Sequence, residues 1–379
     1  MKERFSQFFD NNYKKILILP AILIVVCLAY LFFFYSQNGD VIYKDVSLTG
    51  GTTISVLTSI PSSELLLKIS KDFPDVSVSS VSDNTGNQIK LIITAPQEPD
   101  QIKPKLESAL GFSLTDDNSS IEFTGSSLSQ DFYTQLLRAI VFAFLLMALV
   151  VFLVFGREKI VKVYSIILTI LCAKLTFPTS SFLNLIEVIA AIFLFIYSIY
   201  LTKTKKPEIY YTLAILIGFI LIFIFPVYYF IFLLAIILFS VYSFFSVPSL
   251  AVIFSAFADV IMPLAVIDMM GMKISSAGIV AFLMLIGYSV DTDILLTTRV
   301  LKRKGDSVNQ AIWGAFKTGM TMTLTSLIAV SIGLIIVFSF GSILNQIFTI
   351  LIIGLAFDIL NTWITNVCLI KWYVERRRI

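Results

Sequence analysis

The sequence predicts an α-helical, polytopic membrane protein that carries one small α+β domain outside the bilayer. Three observations predict it. Of 379 residues, 57% are hydrophobic and 14% charged, with a mean hydropathy of +0.90; a soluble domain is about half apolar and about a quarter charged. The apolar residues are grouped into stretches of about 18 or more with almost no charge, each long enough as a helix to cross a hydrocarbon core roughly 30 Å thick. One segment, 36–130, breaks this pattern and is rich in Ser, Thr, Asp and Gly.

The first apolar stretch, 16–35, follows Lys14 and Lys15. It is long, and no small-residue cleavage site precedes the polar segment, so it is expected to be an uncleaved first span. Within 36–130, Thr52 to Leu57 is β-branched and strand-like, and Pro61 to Lys71 opens with Pro and Ser as a helix does. Val76 to Val81 alternates Val and Ser, the period of a half-buried strand. A turn at 83–87 leads into the strand Gln88 to Thr94, then a helix near Glu98 to Leu110 and a strand near Ser120 to Thr124. The order β-α-β-β-α-β suits a ferredoxin-like sandwich.

Further apolar stretches follow at 132–155, 160–176, 182–201, 209–226, 227–247, 250–270, 274–298, 318–338 and 346–370. Cytoplasmic loops of membrane proteins hold the Lys and Arg residues. Placing the N-terminus inside collects Lys2, Arg4, Lys14, Lys15, Arg157, Lys159, Lys162, Lys203, Lys205, Lys206, Arg299, Lys302, Arg303, Lys304, Lys317, Lys371 and Arg376 to Arg378 on that side. Ten spans with both termini cytoplasmic satisfy the rule; 160–176 is short and contains Lys174, so eight remain open. The expected organisation is 1–35 (cytoplasmic segment and first span), 36–130 (external domain), 131–157 (second span), 158–247 (about four additional spans) and 248–379 (a four-span C-terminal region). The expected location is the cell membrane, with 36–130 extracellular.

The chain contains no histidine, which excludes His-based triads and His-ligated zinc or haem. Cys27, Cys172 and Cys368 stand singly, so neither a disulfide framework nor a metal cluster is indicated. No Walker motif and no nucleophile with a base is present, and an enzyme, a cofactor and a nucleic-acid partner are not expected.

Ionisable groups within a bilayer cost about 2.5–3.5 kcal/mol each and face protein or water. Three stand out: Asp259 in 250–270, and Asp291 and Asp293 in 274–298. Positions two apart on a helix differ by about 200°, so Asp291 and Asp293 point to opposite faces. Asp291 shares its face with Gly287, Tyr288 and Leu295, and Gly287 would let a neighbouring helix approach closely. The natural neighbour is 318–338, whose Thr318, Thr321 and Thr325 form a hydroxyl stripe, with Lys317 at its entrance. A carboxylate buried beside hydroxyls suits proton exchange; Asp291 is therefore the first candidate, followed by Asp293 and Asp259.

Three motifs carry a resemblance. Leu48-Thr49-Gly50-Gly51-Thr52 opens the polar domain, Ser255 to Val260 surrounds Asp259, and Ile286-Gly287-Tyr288-Ser289-Val290-Asp291-Thr292-Asp293 runs on to Thr298-Arg299. Together they resemble the SecD/SecF family of protein-export membrane proteins, which is RND-like. The Asp-Thr-Asp form and Asp358-Ile359-Leu360-Asn361-Thr362-Trp363 in the last span are similar to its archaeal SecF members. The resemblance covers roughly 1–155 and 248–379 and leaves 156–247 as an insertion. It implies an accessory subunit that pairs with SecD, associates with a SecY/SecE-type channel and membrane lipid, and uses the transmembrane proton or ion gradient to promote export of unfolded preproteins. Asp291, Asp293 and Asp259 would be the coupling residues, and Gly50, Gly51 and Thr52 would seat the domain. Bacterial members place an Arg in the span after the Asp motif and a His before the first Asp; here 318–338 has no Arg or Lys, and Ala258 precedes Asp259. The alternatives are an RND-type exporter of small molecules or lipids, and a non-transporting scaffold.

Overall fold

A computed structural model describes residues 12–82, 87–176, 242, 245–303, 307–338 and 343–377. The elements run in the order α1 (Ile18–Asn38), α2 (Val46–Thr49), β1 (Gly51–Leu57), α3 (Ser62–Ile69), β2 (Ser77–Ser82), β3 (Gln88–Ala95), α4 (Pro99–Leu110) and β4 (Ser119–Thr124). The helices α5 (Ser126–Phe155), α6 (Lys159–Thr176), α7 (Val247–Met269), α8 (Ser276–Leu301), α9 (Val308–Val337) and α10 (Ile343–Leu360) follow, and a π-helical turn (Asn361–Asn366) joins α10 to α11 (Val367–Arg377).

Six helices among the described residues are long and apolar enough to cross a membrane: Asn12–Asn38, Ser126–Phe155, Val247–Met269, Ser276–Leu301, Val308–Val337 and Ile343–Arg377. The protein is thus a multi-pass membrane protein in its described part. Of the four additional spans expected in 158–247, the first is the helix α6, which is not among the six; the other three lie outside the described residues, save Tyr242 and 245–247.

The polar segment is a small α+β domain. Its sheet has the order β2-β3-β1-β4, antiparallel throughout. Alternation puts Ile54, Val56, Leu91 and Ile93 on one face, where they bury against Leu65 and Ile69 of α3 and Ile102 and Leu106 of α4. Fully burying such a side chain contributes about 1.5–3 kcal/mol, so this face alone gives the domain a core. Each expected strand and helix is present, with ends moved by one or two residues. The short α2 was not anticipated.

The domain is tied to the helices at two places. The stalk forms a bridge between Lys44 and Ile274 of the α7–α8 loop, with Asp45 N–H donating to the Ile274 carbonyl at 2.9 Å and Ile274 N–H to the Tyr43 carbonyl at 2.6 Å. Just beyond, Gly50 and Gly51 have φ of +85° and +138°, a region L side chains rarely adopt. A Cβ at Gly50 would meet the backbone of Ser126, and one at Gly51 the carbonyl of Ala95. Thr52 is fully buried and its hydroxyl donates to the Gln97 carbonyl at 2.6 Å. The chain can therefore pass between the start of α5 and the sheet only with two glycines here.

In the helical region α7, α8 and α10 pack together at the centre, α9 lies against α8 and α10, and α1 against α7. Apolar clusters fill the contacts: Leu31, Ala258, Met262 and Ala265 join α1 to α7, while Ile279, Phe282, Leu285 and Ile350 join α8 to α10. Much of the outer face of α9 is exposed, with Ile328, Ile332, Ile335 and Ile336 on it, as suits a helix against lipid.

Candidate functional site

Where α7, α8 and α10 meet, small and polar residues replace the apolar core. Asp259 of α7 and Asp293 of α8 are fully buried, and Asp358 of α10 is 1% exposed. Around them Ser255, Ser289, Thr292, Thr297, Thr323, Asn361, Thr362, Thr365 and Asn366 are also buried. The three carboxylates sit on helices that pack against one another. Among the described residues no Lys or Arg forms an ion pair with any of them.

Neutral donors take the place of cations. Ser289 Oγ donates to Asp259 Oδ2 and Asn361 Nδ2 to Asp259 Oδ1 at 2.6 Å. Asn366 Nδ2 donates to Asp293 Oδ1 at 2.8 Å. Thr362 Oγ1 donates to Asp358 Oδ1 at 3.1 Å, with Thr292 and Thr323 reaching the same carboxylate at 3.4–3.5 Å. Asp293 Oδ2, Asn366 Oδ1 and Ser255 Oγ are buried with no hydrogen-bond partner. An uncompensated buried polar atom costs about 1–3 kcal/mol, and such costs concentrate where a site must change its charge or occupant.

The geometry corrects several sequence-based expectations. Asp291 and Asp293 do face opposite ways, but the inward one is Asp293; Asp291 is exposed, with Tyr288 44% exposed on the same side. Gly287 meets nothing within 4 Å and is not a point of close approach. Close approach occurs at Gly319 of α9, against the Trp363 ring. The stripe of Thr318, Thr321 and Thr325 does not line a seam: each hydroxyl donates to its own helix, to the carbonyls of Gly314, Lys317 and Thr321. Thr321 and Thr325 are exposed, and back-bonding is how a hydroxyl is tolerated there. The α9 hydroxyl that reaches the cluster is that of Thr323. Lys317 is exposed and its ammonium lies 6.0 Å from the Trp313 ring centre. Arg299 donates to the Gly314 carbonyl at 2.7 Å and so ties the end of α8 to the first turns of α9.

Asp358, Asn361, Thr362 and Asn366 were not among the candidates. The signal was present, since an acid and two amides in the last apolar span are costly unless they have partners, but nothing in the spacing named those partners.

A family model, protein export membrane protein SecD/SecF, C-terminal, matches residues 212–376. The chain is similar to the protein-export membrane protein SecF of Methanolacinia petrolearia, 48% identical over 146 residues, 38% of this chain and 51% of the relative. It is 50% identical to the SecF of Methanocaldococcus jannaschii over 135 residues, 35% of this chain and 48% of that one. The SecF of Haloferax volcanii is 46% identical over 128 residues, 34% of this chain and 44% of its own. The chain thus spans about half the length of the curated relatives it matches. Its fold is similar to that of the crystal structure of SecDF, a translocon-associated membrane protein from Thermus thermophilus, with a TM-score of 0.52 at 12% identity, covering 96% of this chain and 38% of that one. The motif around Asp293 and the last span with Asp358 both lie inside the matched region. Over residues 212–376 the chain is thus similar to the SecD/SecF C-terminal family of protein-export membrane proteins.

Proposed function

We propose that this protein is an accessory subunit of the Sec preprotein translocase that pairs with a SecD-like chain, works beside a SecY/SecE-type channel, and uses the transmembrane proton or ion gradient to promote export of unfolded proteins. In this account the α+β domain, with the βαββαβ order of a ferredoxin-like sandwich, lies on the extracellular side, and both termini are cytoplasmic. The observation that carries the proposal is the cluster of Asp259, Asp293 and Asp358, buried on three adjacent helices with no cation paired to them among the described residues. Such a cluster is costly as a structural device. It is well suited to taking up and releasing a small cation as the helices shift.

The coupling residues of this account are Asp293 and Asp259 rather than Asp291. In cells whose only copy is the variant, Asp293→Asn and Asp259→Asn should each slow export of a secreted reporter on the order of ten-fold, the size of an ordinary coupling free energy. Asp291→Asn should stay near the wild-type rate. Normal export by both buried-site variants would remove gradient coupling and favour a non-transporting scaffold. Purification of the tagged protein without a SecD-like chain would remove the pairing and favour the RND-type exporter of small molecules or lipids.

A further inference from the structure

The cluster is served by one helix that changes its pitch. Asn361 donates to Asp259 on α7, and Asn366 donates to Asp293 on α8. In an α-helix positions five apart point roughly 140° away from each other, so the two amides would not face one cluster together. Between them the chain is π-helical, with Val367 N–H donating to the Thr362 carbonyl five residues back. In that register positions five apart stack as neighbours, as positions four apart do in an α-helix. Both amides thereby face the carboxylates together.

A second feature concerns what an amide offers. Its NH2 end donates to a carboxylate, and its carbonyl end accepts from a protonated carboxyl; a guanidinium or ammonium serves only the charged form. Asn366 Oδ1 and Asp293 Oδ2 make no well-formed hydrogen bond in the arrangement seen, both fully enclosed, with the Ser255 and Thr362 hydroxyls also facing Asp293. Turning the Asn366 amide over and placing a proton on Asp293 would pair the amide carbonyl with the acid hydroxyl. Asn361 Oδ1 accepts from Thr365 Oγ1 at 3.4 Å, a long contact that is readily exchanged. The other carboxylate facing the pair, Asp358, is held by the hydroxyls of Thr292, Thr323 and Thr362; Asp291 points away.

We infer that Asn361 and Asn366, aligned by the π-helical turn, are the positioning residues that keep Asp259 and Asp293 hydrogen-bonded in both their charged and their neutral forms. The inference rests on the ion-coupled reading of the cluster, but its test does not require export. A hydrophobic carbodiimide reacts with protonated carboxyls, and mass spectrometry of the labelled protein in native membrane vesicles separates Asp259 from Asp293. At one fixed pH at which little of Asp293 is labelled in the wild type, Asn366→Leu should raise labelling of Asp293 on the order of ten-fold, because the hydrogen bond lost by the charged form is stronger than the one lost by the neutral form and its loss favours protonation, and leave Asp259 as in the wild type. Asn361→Leu should do the reverse. Unchanged labelling, or an equal rise at both carboxyls in either variant, would overturn the inference, the latter because it reports loosened packing. If the leucine variants fail to accumulate, Asn361→Thr and Asn366→Thr are measured instead, and the same residue-by-residue pattern decides. Selective labelling together with export that ignores Asp293 would remove the translocase reading and keep this one.

Discussion

At the residue scale, the cluster divides side chains that cost stability from those that merely fill space. Asp293 keeps one oxygen bonded to Asn366 and the other without a partner. Asparagine has the same shape and can still accept from Asn366, so Asp293→Asn should leave the stability read from a melt in detergent unchanged or raise it, by up to about 1 kcal/mol, while export falls. A loss of about 3 kcal/mol or more in that melt would instead mark Asp293 as a structural anchor. Thr323→Val removes a hydroxyl that reaches Asp358 and should cost about 1 kcal/mol. Thr321→Val removes one bonded only to its own helix and should stay within about 0.5 kcal/mol. Comparing the two melts checks which face of α9 meets the cluster. The sequence showed that Asp291 and Asp293 diverge, but helical phase alone cannot say which face is inside. That choice belongs to α7 and α10, whose Asp259, Asn361 and Asn366 make the polar side.

At the element scale, the α+β domain was legible almost to the residue, because a period of two with β-branched residues and a turn at 83–87 has few other outcomes. Thr52 to Leu57 and Gln88 to Thr94 became β1 and β3 with one residue added to each. The π-helical turn was not legible: nothing in a 3.6-residue pattern marks a wider turn, and Asn361 and Asn366 read by that pattern diverge. The joint at Gly50 and Gly51 was visible as a motif, and its geometry gives a direct check. Gly50→Ala meets both a positive φ and the Ser126 backbone, and should destabilise the attachment of the domain by about 1–3 kcal/mol. Limited proteolysis of membranes would show this as faster cleavage near 39–50, with unaltered cleavage speaking against a tight joint.

On the scale of the whole molecule, the described residues form a helical region with a buried acidic centre and a small domain hung from one end of it. Continuous contacts run between the two. Gln346 of α10 accepts from the Ser275 backbone N–H at 3.0 Å and donates to the Lys273 carbonyl, the same loop bridges to Lys44, and the stalk leads to Gly50 and β1. A shift of α10 at the cluster would thus bear on the segment that holds the domain. Composition and the grouping of apolar residues made the multi-pass membrane character legible. Six of the expected spans are found among the described residues, and three of the four added ones expected in 158–247 lie outside them.

The central claim is that the buried carboxylates couple an ion gradient to export. The most direct measurement follows export of a reporter preprotein from energised cells, with and without an ionophore that collapses the gradient, for the wild type and Asp293→Asn. The account predicts that the ionophore slows the wild type to the rate of Asp293→Asn and slows the variant no further. Equal slowing of both by the ionophore, or a variant that exports at the wild-type rate, would contradict it.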